Sequence, residues 1–365
     1  MSLPPFRPED FDYSLPPERI AQTAVEPRDA ARLLVVHRQN GRIEHRNFRD
    51  LPEYLTPKDA LVLNQTRVIP ARLQARKVPS GGAVEILLAQ KLADERWLAL
   101  LGGKRLKVGT QLQLEGAPEL MAEICEAREG AQRVIQFNAP IEPYLDRIGE
   151  LPLPPYIHQK LSDPERYQTV YARVEGSAAA PTAGLHFTPE LLLRIRAMGV
   201  SIVYCTLHVG LGTFLPLREE QIAARRLHAE YAELSAEAAE QLNEVKLRGG
   251  RIFAVGTTTV RTLETAALYA LGTPPEQLHL AGYQPAESCP WRPLSAFSAQ
   301  TELFIMPTFK FRAVDALITN FHLPKSSLLM LVSAFSSREL ILQAYQVAIQ
   351  EGYRFYSLGD AMLIL

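Results

Sequence analysis

Cysteine is scarce in this chain: Cys125, Cys205 and Cys289 are the only three in 365 residues, far apart and with no CxxC pair. That excludes a disulfide framework and leaves a structural zinc site without ligands at the usual spacing. Long apolar runs are also missing. The longest, residues 328–335 and interrupted only by Ser333, falls well short of the ~20 residues that a bilayer requires. The opening residues have neither a basic start nor an apolar stretch, so no signal peptide is expected. Nor is there an excess of either charge. Lys and Arg number 39 against 40 Asp and Glu, a net charge of -1, which excludes a generally basic nucleic-acid binder but not a local basic face. No internal repeat or low-complexity tract is visible. What remains is 47% hydrophobic and 22% charged residues, the balance of a globular chain with a large core. The length suggests two or three domains. With few cysteines and no membrane segment, reduced cytoplasm is the expected compartment.

Periodicity divides the chain. Residues 33–36 and 60–63 are short apolar runs, as buried strands are. Between Arg67 and Glu150 the texture changes to short strand candidates, at 84–88, 97–101, 111–114 and 133–137, separated by glycine turns. That pattern predicts a small antiparallel β-barrel. Beyond the proline run at 151–155 the chain reads as repeated strand-then-helix units. Strands are expected at 201–207, 251–255 and 315–319, and helices from Pro189, from Ser235, at 260–271 and at 328–350. Such order predicts an α/β fold with a mostly parallel sheet. The expected division is a discontinuous α/β domain, 1–66 with 151–365, and an inserted barrel at 67–150.

Charge is uneven within the barrel segment. Residues 67–109 carry nine Lys and Arg against three Asp and Glu, whereas residues 110–150 carry three against eight. The first excess is either a solvated surface or a basic face, with Lys104, Arg105 and Lys107, that touches a phosphate backbone.

Four stretches at strand-to-helix junctions carry candidate chemistry. Gly256-Thr-Thr-Thr-Val-Arg261 opens a helix after a strand, where free N–H groups, the hydroxyls of Thr257, Thr258 and Thr259, and Arg261 can hold an anion. His208-Val-Gly210-Leu-Gly212-Thr213 follows another strand, and its Gly-x-Gly permits close backbone approach to a ligand, although the full dinucleotide fingerprint is absent. His186 and His322 each stand beside a phenylalanine in a loop before a helix. His186, His322 and His208 are therefore candidate general bases. No HExxH or paired ligand spacing exists, so no metal is expected.

These residues recur as a set. With Asn64-Gln-Thr-Arg-Val-Ile-Pro-Ala-Arg72, Pro181-Thr-Ala-Gly-Leu-His-Phe-Thr188 and Thr319-Asn-Phe-His-Leu-Pro-Lys-Ser-Ser327, the chain resembles the S-adenosylmethionine:tRNA ribosyltransferase-isomerase family. Gln65 stands where the family commonly has a second asparagine. The resemblance implies an α/β domain interrupted by a small barrel. It implies transfer of the ribosyl part of S-adenosylmethionine to 7-aminomethyl-7-deazaguanine at the tRNA wobble position, giving epoxyqueuosine with release of adenine and methionine. S-adenosylmethionine is then a co-substrate, no bound prosthetic group is needed, and a monomer is expected. The co-substrate contacts expected are Gly210, Gly212, Thr213, Gly256, Thr257, Thr258, Thr259, Arg261, Lys325 and Ser326. Those expected for tRNA are Arg67, Arg72, Lys104, Arg105 and Lys107. His186 is the first choice of base, since Gly184 frees the backbone and Phe187 can exclude water. His322 and then His208 follow. His228 ranks below them, because residues 225–233 read as a solvated helix, and Glu230 and Glu264 are the few carboxylates near the motifs. A conventional methyltransferase and a non-catalytic tRNA-binding protein remain the alternatives.

Overall fold

The computed structural model describes residues 6–159, 161, 163–210, 217–286 and 289–365. Its strands are β1 (Arg32–Val36), β2 (Ile43–Asn47), β3 (Ala60–Asn64), β4 (Thr66–Val68), β5 (Arg72–Val78), β6 (Ala83–Ala93), β7 (Arg96–Gly102), β8 (Gln111–Leu114), β9 (Ala117–Ala127), β10 (Gln132–Phe137), β11 (Gly149–Glu150), β12 (Val174–Ser177), β13 (Ser201–Leu207), β14 (Arg226–Leu234), β15 (Ile252–Val255), β16 (Phe297–Leu303), β17 (Ala316–Asn320) and β18 (Ala361–Ile364). The α-helices are α1 (Glu142–Ile148), α2 (Pro189–Ala197), α3 (Glu219–Ala224), α4 (Ala236–Leu247), α5 (Thr257–Ala270), α6 (Leu278–Ala281), α7 (Ser327–Phe335) and α8 (Arg338–Gln350). Among the described residues no helix is long and apolar enough to cross a membrane.

Nine strands form one sheet in the order β16-β14-β13-β3-β15-β17-β18-β1-β2. Strand alternation splits its apolar residues between two layers. Val62, Val203, Ala254 and Leu317 pack with α4, α5, α7 and α8, whereas Leu61, Leu63, Phe253 and Ile318 pack with α2 and the 3-10 turn Phe48–Tyr54. Both faces are covered, which is why these strands read as continuous apolar runs.

The sheet is mixed, which corrects the expectation of a mostly parallel one. Neighbours β13–β3, β3–β15, β15–β17 and β1–β18 run parallel, but β16–β14, β14–β13, β17–β18 and β1–β2 run antiparallel. Two local errors lie behind this. Residues 225–233 are not a solvated helix: all but Arg225 lie in β14, which presents Glu230, Ala232 and Leu234 to the interior. The connection after α8 also reverses the chain, because Asp360 accepts the N–H groups of Arg32 (2.9 Å) and Arg354 (2.8 Å) and so starts β18 against the direction of β17. The helix expected at 328–350 is two. It breaks at Ser336, and Ser337 caps α8 by accepting from the Leu340 N–H at 3.2 Å.

Strands β5, β6, β7, β10, β9 and β8 form a second sheet, closed by β8 pairing back to β5: a six-stranded antiparallel barrel. Its interior is filled by alternate residues such as Leu73, Ile86, Trp97, Leu112, Ile124 and Phe137. The barrel joins the large sheet through β4, which pairs with β12.

Candidate active site

The four central strands β13, β3, β15 and β17 are mutually parallel, so their carboxyl ends share one edge, where open α/β sheets bind ligands. Two of them close on a buried asparagine. Asn64 Oδ1 accepts from the N–H groups of Thr66 and Leu207, both at 3.1 Å, and its Nδ2 donates to Leu207 O (3.0 Å) and Thr258 Oγ1 (3.2 Å). Asn320 Oδ1 accepts from the Thr182 hydroxyl at 2.9 Å, and its Nδ2 donates to His186 Nε2 at 3.2 Å. One amide thus ties β3, β13 and α5; the other ties β17 to the 3-10 turn Thr182–His186.

His186 and His322 lie in the interior. His186 sits against Phe48, ring centroids 5.0 Å apart, and burial, with the nearby Arg354, Arg28 and Arg166, pushes its pKa down to about 3. His322 holds Thr319 Oγ1 at 2.7 Å through Nε2, and burial pushes it down to about 3 as well. Both are neutral at pH 7.

His208 is different. It follows β13, its N–H donates to Tyr231 O (3.0 Å), and its Nδ1 lies 2.7 Å from Thr66 Oγ1. Its ring stacks on Tyr231 at 5.5 Å and 22°. Beside it Gly176 has φ +138°, and a Cβ there would stand 2.9 Å from His208 Nε2, so only glycine leaves room. Burial lowers the His208 pKa below its ordinary value, with Glu233 opposing.

His208 and Gly210 line a cleft of about 1530 Å³ between the barrel and the large sheet. One wall is the outer surface of the barrel, with Gln90, Leu98, Leu100 and Gln132; the other holds Gly176, Tyr231, Glu233 and Gln300. Arg67 and Arg72 also line it, Arg67 paired with Glu165. His186, His322, Thr257, Thr258, Thr259, Lys325 and Ser326 do not belong to its lining. Gly212 and Thr213 lie outside the described residues.

The other candidates have specific partners. Arg261 is buried, pairs with Glu230, and donates to Leu303 O (3.0 Å) and Thr301 O (3.2 Å). The second Glu230 oxygen accepts the Gly210 N–H at 2.8 Å, so Arg261 acts on the cleft through Glu230. Gly256, at φ +88°, makes the turn from β15 into α5 and provides no side-chain cap. The Thr259 hydroxyl donates to Val255 O (2.7 Å), tying the first turn of α5 to the end of β15. Lys325 Nζ is 3.1 Å from Asp12, and Ser326 caps α7 through the Leu329 N–H at 3.2 Å. Glu264 accepts the N–H groups of Arg312, Ala313 and Val314 at 2.9–3.1 Å and so holds a loop. Lys104, Arg105 and Lys107 are exposed on the β7–β8 loop, where Lys104 O accepts from Lys77 Nζ at 2.8 Å.

Asn64, Thr66, Gly176, Asn320, Tyr231 and Glu233 were not singled out as site residues from sequence. The asparagines had a signal: Ala60-Leu-Val-Leu-Asn64 and Ala316-Leu-Ile-Thr-Asn320 each close a buried strand on an amide. Tyr231 and Glu233 were hidden by the helical reading of β14.

Comparison with known proteins places this geometry in a family. A model described as queuosine biosynthesis protein matches residues 8–364. A protein of Moorella thermoacetica named S-adenosylmethionine:tRNA ribosyltransferase-isomerase is 52% identical over 363 residues, 98% of this chain and 100% of that one. One of the same name from Thermus thermophilus is 50% identical over 365 residues, 98% and 99% of the two chains. A crystal structure of an S-adenosylmethionine tRNA ribosyltransferase from Thermotoga maritima is 39% identical and superposes with a TM-score of 0.54, covering 98% of this chain and 100% of that one. The chain belongs to the queuosine biosynthesis protein family.

Proposed function

We infer that this chain does what its relatives are named for: it is an S-adenosylmethionine:tRNA ribosyltransferase-isomerase, a transferase of queuosine biosynthesis. The observation that carries the reading is the likeness at 50–52% identity over 98% of the chain. S-adenosylmethionine is its co-substrate and tRNA its acceptor.

We assign the acceptor group to 7-aminomethyl-7-deazaguanine at the wobble position and the product to epoxyqueuosine. The sulfonium acidifies the neighbouring C5′ protons, so a positioned base can form an ylide. Electron flow from there expels adenine, which takes up a proton. The aminomethyl nitrogen attacks, and ring closure expels methionine with the C–S bonding pair, which discharges the sulfonium. Such a sequence needs a base that is neutral at pH 7 and a site that keeps its intermediates from water.

His208 is the base we favour over His186 and His322. It alone of the three lines the cleft, burial favours its neutral form, and the ring is held between Tyr231 and Gly176 with Nδ1 fixed by Thr66. His186 and His322 then act as positioning residues for the ends of β17. The first turn of α5, with Gly256, Thr257 and Thr258, suits the carboxylate of the co-substrate through its N–H groups. Gly210, whose N–H is held by Glu230, is assigned to the co-substrate together with Gly212 and Thr213. Arg67 and Arg72, each paired with a carboxylate, border the cleft where the acceptor base of tRNA enters, and Lys104, Arg105 and Lys107 serve its phosphates outside. We take 1–66 with 151–365 as the catalytic domain and 67–150 as the inserted one, in a cytoplasmic monomer.

The test is incubation with S-adenosylmethionine and tRNA bearing the aminomethyl base. Free adenine and methionine are expected. S-adenosylhomocysteine would mean a methyltransferase, and neither product a binding protein.

A further inference from the structure

We propose that His208, Tyr231 and Glu233 form the subsite for the sulfonium cation of S-adenosylmethionine. This rests on the function proposed above and goes further by naming what distinguishes the substrate from its neutral thioether analogues.

The argument begins with charge. Four cations line the cleft: Arg67, Arg72, Lys91 and Arg128. Each has a carboxylate partner, the longest contact being Arg72 to Glu85 at 3.9 Å. Of the seven lining carboxylates, Asp146, Glu150, Glu175 and Glu233 have no cationic partner among the described residues. The lining therefore keeps an unbalanced negative charge, which favours a cationic ligand over an anionic one.

Of those four carboxylates, Glu233 is the one joined to an aromatic surface. The Tyr231 hydroxyl donates to Glu233 Oε2 at 2.7 Å and so fixes the carboxylate. The Tyr231 ring stacks on His208, and both rings border the cleft. A π face beside an oriented carboxylate is the chemistry that binds onium cations. A neutral thioether gains little there. When the C–S bond breaks and methionine leaves as a thioether, the same wall loses its hold on the product.

The experiment compares affinities for S-adenosylmethionine and S-adenosylhomocysteine by calorimetry, without tRNA, in the wild-type chain and in Glu233→Gln. Glutamine keeps an acceptor for the Tyr231 hydroxyl and removes the charge. The preference for the sulfonium should fall about five- to tenfold, with affinity for the thioether unchanged. Tyr231→Leu, which removes the π face, should lower the same ratio. An unchanged ratio, or equal weakening of both ligands, overturns the proposal. So does a Glu233→Gln variant whose only defect is a raised KM for tRNA, since the carboxylate would then serve the acceptor's amine. Adenine release by the wild-type chain is the separate check. If adenine appears while the ratio is unmoved, the subsite is wrong and the activity stands. If no adenine appears, both fall.

Discussion

Acid should unfold this protein through two buried histidines, His186 and His322. His186 and His322 are held at a pKa of about 3 in the fold, chiefly by burial, against an ordinary 6.5. The unfolded chain therefore takes up these protons first. Each group's contribution is intact above pH 6.5 and is lost as pH falls toward 3, at up to ~1.4 kcal/mol per pH unit. At pH 5, about 1.5 units below the unfolded value, each costs ~2 kcal/mol and the pair ~4 kcal/mol. That is a large share of the ~5–15 kcal/mol that holds a typical domain. Carboxylates held at or below their ordinary range contribute little above pH 5, since their unfolded values lie near 4. Glu264, whose carboxyl burial pushes up, gains stability as pH falls and so opposes the trend equally in wild type and variant. Urea unfolding at pH 7.5, 6 and 5 should show the midpoint falling through this window. In His186→Gln/His322→Gln the fall should be much shallower, with a remainder from His208, whose shift has the same sign. If wild type and double variant lose stability in parallel between pH 7.5 and 5, these imidazoles are not buried neutral and the argument fails.

Three further expectations concern the cleft and its edges. His208→Ala should lower adenine release at saturating substrates by ~10²-fold or more, over and above whatever S-adenosylmethionine affinity is lost with the ring that backs Tyr231; turnover that returns to the wild-type rate at saturation would make His208 a contact and not the base. Replacing Lys104, Arg105 and Lys107 together by alanine should weaken tRNA binding and flatten its log–log salt dependence by up to about three units, at ~0.9 per phosphate. An unchanged slope would mean that the loop merely solvates the barrel. Asn64→Ala strands the buried N–H and C=O of Leu207 and the N–H of Thr66, so the urea midpoint should report a loss of ~3 kcal/mol; a loss below ~1 kcal/mol would show that the strand ends hold without it.

Much of the molecule is legible from residue order, and the failures have physical causes. Thr188 and Ser235 announce their helices because a hydroxyl before an apolar-periodic run accepts a first-turn N–H, at 3.1 Å in both cases. The barrel is legible because evenly spaced short strands between glycine turns leave few other architectures. Strand direction is not. A strand-then-helix order implies parallel neighbours only if the next strand returns the same way, and the reversal before β18 is set by Asp360 bonding Arg32, 328 positions away in sequence. The site shows the same division. His186, His208 and His322 are conspicuous in sequence as imidazoles near junctions, yet which of them borders the cleft depends on burial, a long-range property. Their order of preference changes once Asn320 and Phe48 are seen to enclose His186. Glu230 and Arg261 are 31 residues apart, and no local pattern links them to each other or to Gly210.

The charge pattern also explains how one protein can hold a polyanion and a cation without either displacing the other. The exposed cations Lys104, Arg105 and Lys107 lie on a barrel loop outside the cleft lining, whereas each cation inside the cleft is already paired. A phosphate drawn into the cleft would have to break one of those pairs and face unbalanced carboxylates. A sulfonium held at the basic loop would meet repulsion and bulk water. The unequal runs at 67–109 and 110–150 are therefore more than a solvated surface if the salt slope responds to the loop. On that reading the phosphates stay on the barrel's exterior, and only the wobble base crosses into the cleft to meet the co-substrate.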